Sequence, residues 1–137
     1  MKTIRFCIES ADLILMQQAV EQMSAVEVCG LVGGRRKGNT VLVKRVTPIA
    51  NIATDPQSYF FMEPQQQITE LFTLAKQGLD LVGIYHSHPH GPLYPSETDI
   101  RDCAYPEAVY LIWWGATVAA WSIRRGQVFP VELIEMG

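Results

Sequence analysis

The side chains that could hold a metal or move a proton are bunched in one stretch of the chain. Its only histidines, His86, His88 and His90, take every second position of GIYHSHPHGPLYPSETDI, residues 83 to 100, and Ser96 and Asp99 follow. Residues i and i+2 of a β-strand share a face, so His86 and His88 could aim both imidazoles at one point. Pro89 and the GPLYP segment end that strand. Asp99 then arrives one turn into a helix that Ser96 is suited to cap. Two neutral imidazoles and a carboxylate leave the fourth tetrahedral position open, which is how a catalytic zinc site differs from a closed structural one. The same two histidines could instead be ordinary, partly buried residues.

Two neighbours fit the metal reading less well. His90 continues the alternation, but Pro89 and Gly91-Pro92 interrupt a straight strand through it, so it reads as a loop histidine facing solvent or substrate. Cys103 falls four residues after Asp99, on the same predicted helical face, and reads as a small core residue. Hydrolysis of an amide at such a centre also needs a group that takes a proton from water and returns it to the leaving amine. Glu27 is the candidate. It lies in the apolar segment SAVEVCGLVGG, where an unpartnered carboxylate would be costly to bury. The other reading is an outward-facing residue on an alternating strand.

Several elements must position these residues. MKTIRFCI reads as a first strand, followed by a helix capped by Ser10 with Leu13, Met16, Val20 and Met23 on one face. VEVCGLVGG, 26 to 34, and TVLVKRVTPIA, 40 to 50, form an antiparallel hairpin, with the basic cluster 35 to 37 at its solvated tip. NIATDPQSYFF is a loop entering a short strand. Pro64 opens a second helix with Ile68, Leu71, Phe72 and Ala75 as its apolar stripe, ending near Gly78. LDLVGIYH, 79 to 86, is a buried strand carrying the histidines at its carboxyl end. Ser96 caps a short helix through about Cys103. AVYLIWWG and TVAAWSI are strands, and QVFPVELIEM closes the chain, with Pro130 marking an edge. Strands outnumber helices and do not alternate strictly with them. The fold class is therefore α+β, with a mixed sheet in one domain spanning 1 to 137.

Composition narrows the function classes. The 137 residues carry a formal charge of −3 and are 48% hydrophobic. The one short basic run gives no case for a nucleic-acid partner. No apolar run approaches the roughly 20 residues of a membrane span. Glu9 and Asp12 interrupt what would be the apolar region of a signal peptide, so a cytoplasmic location is the expectation. Three cysteines without a CxxC pair do not suggest a disulfide framework.

Taken together, E-V-C-G-L at 27 to 31, H-S-H-P at 86 to 89 and, six residues on, S-E-T-D at 96 to 99 resemble the JAMM motif of the JAMM/MPN+ metalloproteases. The resemblance extends to the element order and implies an MPN fold. It implies zinc held by His86, His88 and Asp99, Glu27 as general base and acid, and Ser96 both capping its helix and donating to the oxyanion. Ser87, pointing away from the metal, is structural. Members of this family cleave peptide or isopeptide bonds after the Gly-Gly tail of ubiquitin-like proteins. The small prokaryotic members act on ubiquitin-like sulfur-carrier or modifier proteins. The insertions by which eukaryotic members grip polyubiquitin are absent here, so linkage recognition is not expected. The competing expectations are a zinc amidase acting on a small molecule and a non-catalytic MPN scaffold. The sequence leaves the oligomeric state open.

Overall fold

The structure is a computed structural model and describes residues 3 to 137. In chain order the elements are β1 (Arg5–Glu9), α1 (Ser10–Gln22), β2 (Cys29–Lys37), β3 (Thr40–Ile49), α2 (Pro64–Lys76), β4 (Asp80–Ser87), α3 (Glu97–Arg101), β5 (Val109–Trp114), β6 (Thr117–Arg124), β7 (Gln127–Pro130) and β8 (Glu132–Met136). The strands join one mixed sheet in the order β7-β6-β5-β4-β2-β3-β1-β8. The pairs β2–β3, β2–β4, β5–β6 and β6–β7 are antiparallel, whereas β1–β3, β1–β8 and β4–β5 are parallel. This is the α+β architecture expected. Among the described residues no helix is long and apolar enough to cross a membrane. Cys7, Cys29 and Cys103 are free thiols.

The sheet separates two apolar layers. On one face α1 places Met16 and Val20 against Phe6, Val32, Val82, Leu111 and Trp113. On the other, Leu31, Ile84, Tyr110 and Ile123 pack with Met62, Leu71 and Ile100. The second face carries the histidines, because Ile84 and His86 are two apart on β4. Tyr85 points to the first face, and its ring lies so close over Gly30 that any Cβ there would collide with it.

Several expectations need correcting. Ser10 is the first residue of α1 rather than its cap; Glu9 takes that place, and the Ser10 hydroxyl donates to Glu135 Oε2 at 2.7 Å. Met23 lies past the helix end and is exposed, unlike Met16 and Val20. The basic residues 35 to 37 are strand, not hairpin tip: β2 runs on to Lys37 and the turn is Gly38-Asn39, with Gly38 at positive φ. The short strand after the NIATDPQSYFF loop is a single bridge between Asn51 and Met62.

The expected apolar stripe of α2 is split: Leu71 packs against the core, but Ile68, Phe72 and Ala75 face outward. Ile68 is 50% and Phe72 66% exposed, while Glu70 and Leu74 are buried. The reason lies on the sheet. Arg45 and Thr47 of β3 donate to the Glu70 carboxylate at 2.7–3.0 Å, and Leu74 fills the space over Gly33. An ion pair and a glycine gap, both supplied by distant residues, outweigh the helix's own pattern.

The closing segment is two strands. β7 pairs with β6 on one edge of the sheet and β8 with β1 on the other, although only Val131 separates them. The sheet therefore curls until its edges meet at Val131, which is buried and donates to Ala120 O at 3.0 Å.

Candidate metal centre

Antiparallel pairing of β2 and β4 brings the start of one strand beside the end of the other. Cys29 is opposite His86. Carried two residues further, that register sets Glu27 opposite His88. Glu27 thus precedes β2 instead of lying in it, a correction to the expected strand of 26 to 34. Ser87 holds the junction: its N–H donates to Val28 O at 3.0 Å, and its hydroxyl accepts from Val28 N at 2.9 Å.

Past Ser87 the chain leaves the sheet, with His88 N still donating to Trp113 O at 2.8 Å. The loop returns through Ser96, whose hydroxyl accepts from Asp99 N while the Asp99 carboxylate accepts from Ser96 N. This reciprocal capping box fixes the first turn of α3 and with it the Asp99 side chain. α3 ends at Arg101, so Cys103 is not on the helix; its thiol lies 3.2 Å from Tyr110 Oη.

Three donor atoms converge there. His86 Nε2, His88 Nε2 and Asp99 Oδ2 are each 3.0 Å from the other two. A tetrahedral ion with bonds of about 2.0–2.1 Å has ligand edges of about 3.3 Å, so the triangle has the size of one face of such a site. Its electronics agree. The Pro92 carbonyl can only accept, so the 2.7 Å contact puts a proton on His88 Nδ1 and leaves a lone pair on Nε2. That lone pair then faces a carboxylate oxygen at 3.0 Å, which is repulsive unless positive charge sits between them.

A second proton, on Nε2, is one form that positive charge can take. Burial opposes charge on His88, but its bonds to Asp99 and the Pro92 carbonyl outweigh burial and raise its pKa. Burial likewise opposes charge on Asp99, and His86 and His88 hold its carboxyl well below the usual carboxylate range. The residues present fit a divalent cation.

Glu27 stands beside this triangle. Its carboxylate lies within 4.8 Å of the ring nitrogens of His86 and His88, a looser grouping than the triangle itself. Glu27 is 5% exposed, and its Oε1 has no hydrogen-bond partner among the described residues. Burial pushes its pKa up to about 8; the His88 charge works against the rise and the Asp99 charge adds to it. Ser96 is exposed and meets the triangle through its capping bonds with Asp99, and His90 is exposed in the turn after Pro89, outside the triangle.

A cleft of about 370 Å³ opens on this face of the sheet. Its lining includes His86, Asp99, Tyr59, Phe60, Phe61 and Tyr105. Phe60 stacks on His86 with ring centroids 4.6 Å apart. Sequence reasoning did not single out Phe60 or the Pro92 carbonyl. By the family resemblance it expected the loop from Asn51 to Tyr59 to wall the cleft, but nothing local tied Asn51 to Glu27, whose main chain its amide reaches.

On this mixed α+β sheet a histidine–histidine–carboxylate triangle that could hold a metal ion thus lies beside a buried glutamate. The profile of prokaryotic homologues of the JAB domain matches residues 11–124, and the chain belongs to that family. It is 36% identical over 86 residues to a desampylase of Haloferax volcanii, covering 63% of this chain and 60% of that protein. It is 36% identical over 101 residues to a probable TtuB-protein conjugate cleaving protease of Thermus thermophilus, covering 74% and 64%. The matches thus span less than two thirds of these relatives' length. A protein of Desulfitobacterium hafniense solved in solution superposes with a TM-score of 0.85 at 31% identity, over 97% of this chain and 93% of that one.

Proposed function

We propose that this protein is a zinc metallopeptidase that hydrolyses the peptide or isopeptide bond following the C-terminal Gly-Gly tail of a ubiquitin-like or sulfur-carrier protein. The carrying observation is the 3.0 Å triangle of His86, His88 and Asp99 beside the buried carboxylate of Glu27, whose Oε1 has no partner among the described residues. The names of the desampylase and of the TtuB-conjugate protease support the substrate class.

In this reading His86, His88 and Asp99 hold the ion. Zinc bound there would supply Lewis-acid polarisation of the scissile carbonyl and a more acidic water. Glu27 takes the proton of the attacking water and passes it to the departing amine; a carboxyl raised to about 8 can both hold and release a proton near neutrality. Pro92 fixes the His88 tautomer through Nδ1. The Ser96 hydroxyl accepts from Asp99 N, which leaves its hydrogen free to donate to the developing oxyanion. The aromatic cleft takes the extended tail, and the wall formed by Phe60 over His86 favours glycine beside the scissile bond.

The test is cleavage of a ubiquitin-like protein extended by a short peptide past its Gly-Gly end. Replacing both glycines by leucine should slow cleavage on the order of 10²-fold, the cost of a misplaced reacting carbonyl. Equal rates for the two substrates would overturn the tail reading and favour an amidase acting on small molecules.

A further inference from the structure

Glu27 sits two residues ahead of β2, beyond the reach of the sheet's hydrogen-bond ladder. An acid–base group needs a fixed position, yet the segment before a strand frays unless something ties it. Among the described residues two bonds hold its main chain. Glu27 N donates to Pro56 O at 2.7 Å, and Asn51 Nδ2 donates to Glu27 O at 2.8 Å. Both partners belong to the loop between β3 and α2.

Asn51 is fully engaged. Its Nδ2 also donates to Tyr59 O at 3.2 Å, and its Oδ1 accepts from Ala53 N at 3.0 Å and Phe61 N at 2.9 Å. An amide has two donor hydrogens and two acceptor lone pairs, and all four are used. The orientation is unambiguous too, since exchanging O and N would face donors against Ala53 N and Phe61 N. Tyr59 and Phe61 also line the cleft.

We propose that Asn51 is a positioning residue for hydrolysis: its amide clamps the main chain of Glu27 to the cleft-wall loop and so holds the carboxylate beside His86 and His88. The inference rests on Glu27 being the general base, and the substrate-facing wall and the base are then parts of one hydrogen-bonded unit.

Two variants separate the clamp from the loop's own turn. Asn51→Asp keeps the acceptor for Ala53 N and Phe61 N but sets an oxygen against Glu27 O and Tyr59 O. Asn51→Ser carries no charge, can still close a turn on Ala53 N and is too short to clamp Glu27. In both, zinc content should match wild type and KM should stay within about threefold, while kcat falls roughly 10–100-fold. Combined with Glu27→Gln, either variant should cause no further loss, because a residue acting through Glu27 has nothing left to position.

Wild-type kcat in both variants, with Glu27→Gln inactive, overturns the clamp alone. An additional loss in the Glu27→Gln background, or loss of zinc from the Asn51 variants, overturns it as well by placing the effect elsewhere. Full turnover of Glu27→Gln would instead sink the general-base reading on which the clamp depends.

Discussion

Ser87 and Val28 exchange two hydrogen bonds, Ser87 N to Val28 O at 3.0 Å and Val28 N to Ser87 Oγ at 2.9 Å. The pair joins the end of β4, which carries the histidines, to the segment that carries Glu27. Ser87 is buried, so Ser87→Ala would leave Val28 N without its acceptor. The expected cost is about 1–3 kcal/mol of stability, read as a lowered urea midpoint, with turnover falling further than zinc content. A variant of wild-type stability would show that the segment is held without Ser87.

The division of roles predicts two different failures. Glu27→Gln keeps size but cannot take a proton, so it should retain zinc and lose on the order of 10²–10⁴-fold in turnover. Asp99→Ala removes a ligand and should lose metal and activity together. Zinc content measured beside rate decides the matter. A zinc-free Glu27→Gln would make Glu27 a ligand, and an active zinc-bound one would place the base elsewhere.

Metal removal is the third expectation. Dialysis against a chelator should abolish cleavage, and stoichiometric zinc should restore it. His90→Ala should leave both zinc content and rate unchanged, since His90 is exposed outside the triangle. Chelated protein that still cleaves would exclude a metal mechanism.

A fourth prediction concerns stability and pH. Hydrogen bonding to Arg45 holds the Glu70 carboxyl below its ordinary 4.5; burial opposes this and Thr47 assists it. The unfolded chain therefore binds that proton more readily than the folded one, and the pair stabilises the fold fully only above pH 4.5. The contribution is lost as pH falls through the depressed folded value. Glu70→Gln should cost about 1–3 kcal/mol at neutral pH. In denaturant titrations the difference from wild type should shrink toward zero in strong acid. A pH-independent difference would assign the loss to packing alone.

The parts of the site that depend on short-range geometry were legible in the chain. His86 and His88 share a face because a strand repeats every two residues, and Ser96 with Asp99 closes a capping box because a helix's first free N–H groups lie within three residues. Glu27 could be named by its carboxylate in apolar surroundings, but its place opposite His88 follows from the β2–β4 register. The outward turn of Ile68 and Phe72 was hidden because Arg45, Thr47 and Gly33, all on other strands, decide which face of α2 is buried. The split of the last strand follows from the curl of the whole sheet, and the Asn51 clamp from a loop folding back across 24 residues. Local periodicity and capping chemistry set which residues could act. Only long-range pairing, in which distant segments satisfy each other's polar groups, brought their reacting atoms to one point.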